Sequence, residues 1–164
     1  MLVYADDRTL EYGNPSFAQA TIVAIREHPK VGTILICDFD QGFKEPEMVK
    51  RRPVIVVSPK ISTRPGLCTV VALSTTEPRP KMPFHCEIDL DPPLPPPWGD
   101  TTRWVKGDMV CAVGFHRLDF IMLGKDMKGV RQYRYETITA ADLRRVRGCI
   151  LNALGLGGLT KHLA

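Results

Sequence analysis

No apolar run in this chain is long enough to cross a bilayer, so no transmembrane helix is expected. The opening stretch, MLVYADDRTLEYGN, has acidic residues early and no basic region leading into an apolar segment, which excludes a secretory signal from the reading. A cytoplasmic location is the expectation. The chain also lacks paired cysteine spacing. Cys37, Cys68, Cys86, Cys111 and Cys149 are odd in number, widely separated and without a CxxC. Neither a disulfide framework nor a zinc site fits that pattern, and free thiols buried in a reducing compartment do. Charge is not strongly one-sided: 22 Lys and Arg against 18 Asp and Glu leave a net charge of +4. This mild basic excess is compatible with a polyanionic partner without requiring one. The sequence LGLGG at 154–158 has no following βαβ unit, so it is not a dinucleotide loop.

What is present is a chain of 164 residues, enough for one domain with a real core and hardly for two. Residues 1–29 read as an N-terminal extension and residues 30–164 as the domain proper. Within the extension, Asn14-Pro15 reads as a helix start, with Phe17, Ala20, Thr21, Ala24 and Ile25 on one face and Pro29 beyond the stop. Strand-like apolar runs follow at Ile34 to Phe39, Pro53 to Ser58, Leu67 to Leu73, Phe84 to Leu90, Trp104 to Val113 and Phe115 to Leu123. Their short length and close spacing predict a compact, strongly curved β-sheet or barrel. Two connections are long. Residues 40–51 form a polar loop, and residues 91–103 are Pro-rich and read as a stiff surface excursion that cannot be sheet interior. Near the C-terminus Thr139 caps a helix, with Asp142 three residues on, an apolar stripe of Leu143, Val146, Ile150 and Leu154, and Gly155 as terminator.

Four segments in this order resemble the MazF/PemK toxin family. VGTILICDF (31–39) is similar to that family's glycine-led first strand. KRRPVIVVSP (50–59) resembles its strand that opens on a basic residue and proline and closes on Ser-Pro. VVALSTT (70–76) is similar to its apolar strand ending in a threonine pair, after which Pro83-Phe84 matches the start of the next strand. VKGDMV (105–110) resembles its basic-x-Asp strand. The likeness spans about residues 30–154. It implies a mainly β (α+β) fold: an SH3-like, strongly curved β-barrel of the MazF/PemK/CcdB type with a C-terminal helix, here preceded by the helical extension. It also implies a metal-independent endoribonuclease toxin with no cofactor, acting on single-stranded RNA as a homodimer, with a cognate antitoxin as partner.

Such cleavage is a transesterification by the 2′-OH, and it needs a base, a cation at phosphorus and an acid for the leaving oxygen. By the resemblance Arg52, rather than Arg51, is the cation; its guanidinium is always charged and grips two phosphate oxygens. Thr75 matches the family's catalytic threonine, with Thr76 as the neighbouring alternative. Lys106 and Asp108 alternate along one strand and match an acid–base pair, although Lys106 stands where relatives carry arginine and has no planar two-pronged grip. Glu47, at a position of an acidic residue in MazF-like members, is a second candidate base. Lys50, Arg51, Thr76 and His116 are candidate RNA contacts, His116 also as a proton shuttle; His85, in an alternating strand, reads as structural. A non-catalytic CcdB-like module, or a basic barrel that only binds nucleic acid, is the alternative that the same residues leave open.

Overall fold

The computed structural model describes residues 25–40, 42–99 and 102–163. The helix expected at Asn14-Pro15 lies outside them. Eight strands and one α-helix are described: β1 (Ile34–Cys37), β2 (Arg52–Val56), β3 (Leu67–Ser74), β4 (His85–Asp89), β5 (Thr102–Gly114), β6 (Leu118–Phe120), β7 (Met122–Lys125), β8 (Arg131–Tyr133) and α1 (Ala140–Ala153). Six of the strands form one sheet in the order β4-β5-β3-β2-β1-β6, antiparallel at every pairing, and β7 and β8 form a separate two-stranded ribbon.

Both faces of the sheet are covered, which is why its strands read as continuous apolar runs rather than as alternation. On one face Ile34, Ile36, Ile55, Val71, Leu73, Ile88 and Val105 pack with Val146 and Cys149 of α1. On the other, Leu35, Cys37, Val54, Val56, Cys68 and Val70 pack with Phe39 and Ile25, and with Phe43 and Met48 from the polar loop. Burial pushes the Cys37 thiol up to about 12 and the Cys68 thiol to about 11, so both are neutral, unreactive core groups. All five cysteines are free.

The mainly antiparallel sheet and the C-terminal helix agree with the expected class. Thr139 caps α1 by accepting a hydrogen bond from the Asp142 backbone N–H at 3.0 Å, and Gly155 terminates it at φ +74°. Closure into a barrel does not occur: β4 and β6 are the two edges of the sheet and do not pair with each other among the described residues. The reason lies in the single strand expected at Phe115 to Leu123. It breaks into a 3₁₀ turn (Phe115–Arg117), the three residues of β6, and β7. Ile121 turns into the core at the break, its carbonyl accepts from the Arg134 N–H at 2.8 Å, and the chain leaves the large sheet to pair with β8 instead.

The Pro-rich segment is likewise more than a surface excursion. Leu94 is 2% exposed and sits in the core beside α1. The buried Arg134 donates to the Pro92 carbonyl at 2.7 Å, and the buried Arg103 donates to the carbonyl of Trp98. These anchors fold the segment back over the end of the sheet.

Candidate functional site

Arg52 is the first residue of β2, opposite Cys37 on β1, and the β2–β3 register carries it alongside the end of β3. A cleft of about 410 Å³ opens there. Its walls include Lys50, Arg51, Arg52, Thr75, Trp98 and Arg103, with no carboxylate lining it among the described residues. Lys50 turns the chain into the cleft at φ +78°, a left-handed conformation uncommon outside glycine.

The two adjacent arginines differ in their partners. Arg51 is tied to Asp119 on β6 by an ion pair of 2.6 Å. Arg52 donates its Nε to the Val49 carbonyl at 3.1 Å, and no carboxylate pairs with it among the described residues. Its Nε is therefore held while its two terminal amino groups carry no carboxylate. Thr75, just past β3, is exposed in the same cleft. Thr76 is not among the lining residues, and its N–H is bound to the Ser74 Oγ at 3.1 Å.

Lys106 and Asp108 lie one row further along. The β3–β5 register jumps between Val71, opposite Val110, and Ala72, opposite Lys106, so 107–109 form a bulge. At its start Gly107 donates its N–H to the Phe84 carbonyl at 2.9 Å and presses so closely on Cys149 and Phe84 that a Cβ would lie 2.7 Å from backbone. The Lys106 ammonium is held below the ordinary lysine range, first by desolvation and also by the Arg52 charge, with Asp108 opposing the shift. The Arg52 and Asp108 charges thus both act on Lys106, while neither Lys106 nor Asp108 is among the described residues that line the cleft.

His85 pairs with Lys106 across the β4–β5 ladder. Its side chain is 8% exposed, and its Nε2 lies 3.5 Å from Asp108 Oδ1. Its Nδ1 faces the Met82 N–H at 3.2 Å, which assigns the ring hydrogen to Nε2, on the side of Asp108. The sequence places His85 in an alternating strand; only the pairing register puts it against the carboxylate. Trp98 and Arg103 are further cleft residues that strand patterning does not single out.

Two candidates stand elsewhere. The Glu47 carboxylate accepts from the Lys44 N–H at 2.9 Å, within its own loop. Its charge is felt at Cys111, whose thiol is raised first by burial and then by Glu47; Cys111 is five residues beyond Lys106 on β5 and faces the second core cluster. His116 belongs to the 3₁₀ turn at the far end of β5, packed against Gly114. The structure brings neither to the cleft. Among the described residues no group of three or more His, Cys, Asp or Glu side chains is placed to hold a metal ion, and no helix is long and apolar enough to cross a membrane.

Comparison with known proteins adds an independent line. Residues 30–151 match a family model described as PemK-like, MazF-like toxin of type II toxin-antitoxin system. A putative uncharacterized protein of Escherichia coli, YifN, is 31% identical over 152 residues, covering 82% of this chain and 99% of its own length. An uncharacterized protein of Haemophilus influenzae is 35% identical over 108 residues, 58% of this chain and 73% of that protein. Among solved structures, MazF (Form-I) from Deinococcus radiodurans is similar at 19% identity with a TM-score of 0.48, covering 77% of this chain and 96% of that one.

Proposed function

From the premise that this chain belongs to the PemK-like, MazF-like family of type II toxin–antitoxin toxins, we propose that it is an endoribonuclease that cleaves single-stranded RNA by 2′-OH transesterification. The observation that carries the reading is the Arg52 guanidinium, unpaired with any carboxylate among the described residues and sharing a cationic cleft with the Thr75 hydroxyl.

Attack of the 2′-oxygen on phosphorus builds negative charge on the non-bridging oxygens. Arg52 and the Thr75 hydroxyl are the donors to those oxygens. Asp108 removes the 2′-OH proton. As the bond from phosphorus to the 5′-oxygen breaks, Lys106 delivers a proton to that oxygen, leaving a 2′,3′-cyclic phosphate and a 5′-hydroxyl. His85, with its Nε2 hydrogen toward Asp108, orients the carboxylate and is a positioning residue. Asp108 is favoured over Glu47 as the base because the Glu47 carboxylate is engaged within its own loop. No step calls for a metal, since the fixed guanidinium supplies the charge that a cation otherwise brings.

The same cationic cleft suits an acidic segment of a cognate antitoxin, which would compete with RNA for it. Homodimerisation is part of this proposal. The test of the activity is cleavage of a defined transcript by purified protein in EDTA, with end mapping. Cyclic-phosphate ends that vanish in Arg52→Ala support it; intact RNA with wild type, or equal cutting by Arg52→Ala, rejects it.

A further inference from the structure

We propose that Trp98 forms a nucleobase-stacking subsite in the Arg52 cleft, so that an unpaired base next to the scissile phosphate lies against its indole. The inference rests on the cleft being a single-stranded RNA site, and it adds what holds the strand in place.

Trp98 shares the cleft with Arg52 and Thr75, yet it reaches that position from a different part of the chain, the Pro-rich segment. The segment is held firmly. The Trp98 N–H donates to the Pro95 carbonyl at 3.0 Å, its own carbonyl accepts from the buried Arg103, Pro92 is bound by Arg134, and Leu94 is in the core. Trp98 packs partly on the core beside α1, remains half-buried, and lines the cleft. A preorganised aromatic face costs little entropy when a flat ligand lands on it.

The chemistry of the walls specifies that ligand. The Arg52 guanidinium, which no carboxylate pairs among the described residues, favours phosphate, and a tryptophan lining the same cleft favours a π-face. Phosphate and a flat ring at adjacent positions are the two halves of one nucleotide. A base inside a duplex is already stacked and cannot offer its face, so the arrangement selects single strands. Stacking of this kind is tolerant of base identity, and loss of one stacked base weakens binding roughly 5- to 100-fold.

The test measures binding of a mixed-sequence, uncleavable 2′-O-methyl RNA oligonucleotide to the full chain by anisotropy and by tryptophan fluorescence. The chain has two tryptophans, Trp98 and Trp104, so the variants assign the signal. Wild type is expected to bind with quenching. Trp98→Leu, which keeps apolar packing but has no π-face, is expected to bind roughly 5- to 100-fold more weakly and to lose the quenching; Trp98→Phe should keep most of the affinity. Thermal melts of both variants check folding. No binding by wild type, or Trp98→Leu binding within twofold of wild type, overturns the subsite. Cleavage of natural RNA separates the two claims. Wild type that cuts RNA while Trp98→Leu cuts with unchanged KM removes the subsite and leaves the activity. Trp98-dependent binding without cleavage removes the activity and leaves the subsite.

Discussion

Arg51 and Arg52 are chemically identical neighbours, and what separates them is whom they meet. An exposed ion pair such as Arg51–Asp119 is worth about 0–1 kcal/mol, so Arg51→Ala should leave stability within about that range. It should also leave RNA cleavage within roughly tenfold of wild type, the size of a lost rim contact. Arg52→Ala should lower kcat/KM by about 10²–10³-fold, the usual effect of removing one donor to a developing anion; single-turnover cleavage of a defined transcript reads both. Lys106 carries a second prediction. Its ammonium is charged below its pKa and neutral above it, and that pKa lies below the ordinary lysine value of 10.5. Activity that needs this charge should therefore fade on the alkaline side earlier than an ordinary lysine would allow. NMR titration of the labelled lysine should show its pKa rising in Arg52→Ala and falling further in Asp108→Asn. At this scale the ordered motifs were enough to single out Arg52, Thr75, Lys106 and Asp108 as candidates. His85 and Trp98 are not legible, because each owes its place to a long-range pairing: His85 to its register with Lys106, and Trp98 to a segment anchored by Arg134 at Pro92.

Among the elements, β5 does the most to shape the site. Its run from Trp104 to Val113 reads as one continuous strand, and most of it is one, but three residues bulge out between the rows that face Val71 and Ala72. Apolar pattern shows that a strand exists; a bulge depends on what the neighbouring elements press against it. Here those neighbours are the Cys149 and Phe84 backbones, which leave room only for glycine at position 107. Gly107→Ala should cost about 1–3 kcal/mol through overpacking against atoms that cannot rotate away. It should also displace Lys106 and Asp108 together. A lower Tm accompanied by a loss of kcat larger than that of a distant, equally destabilising core variant is the expected pair of observations. The break at Ile121 and the short strand β8 escaped the same reading for a related reason. Arg131 to Tyr133 is too short and polar to carry a period, and its turn is held by the Asp126 carboxylate binding the N–H groups of Lys128 and Val130, at 2.9 Å each.

For the molecule as a whole, an open sheet covered on both faces leaves the candidate cleft at one strand end, where the polar loop, β3 and the anchored Pro-rich segment meet. The net charge of +4 is too small to bind nucleic acid by bulk attraction alone, so affinity should depend on a few local cations. With two or three phosphates neutralised, log K should fall against log salt with a slope of roughly −1.4 to −2.1, and Arg52→Ala should flatten it by about 0.7. The most direct measurement is the time course of one defined single-stranded transcript in EDTA with wild type and Arg52→Ala at equal concentration. The account predicts discrete wild-type fragments ending in 2′,3′-cyclic phosphate and 5′-hydroxyl, and a variant slower by at least about 10²-fold. Fragments that appear at the same rate with both proteins, or no fragments from the wild type, would contradict it.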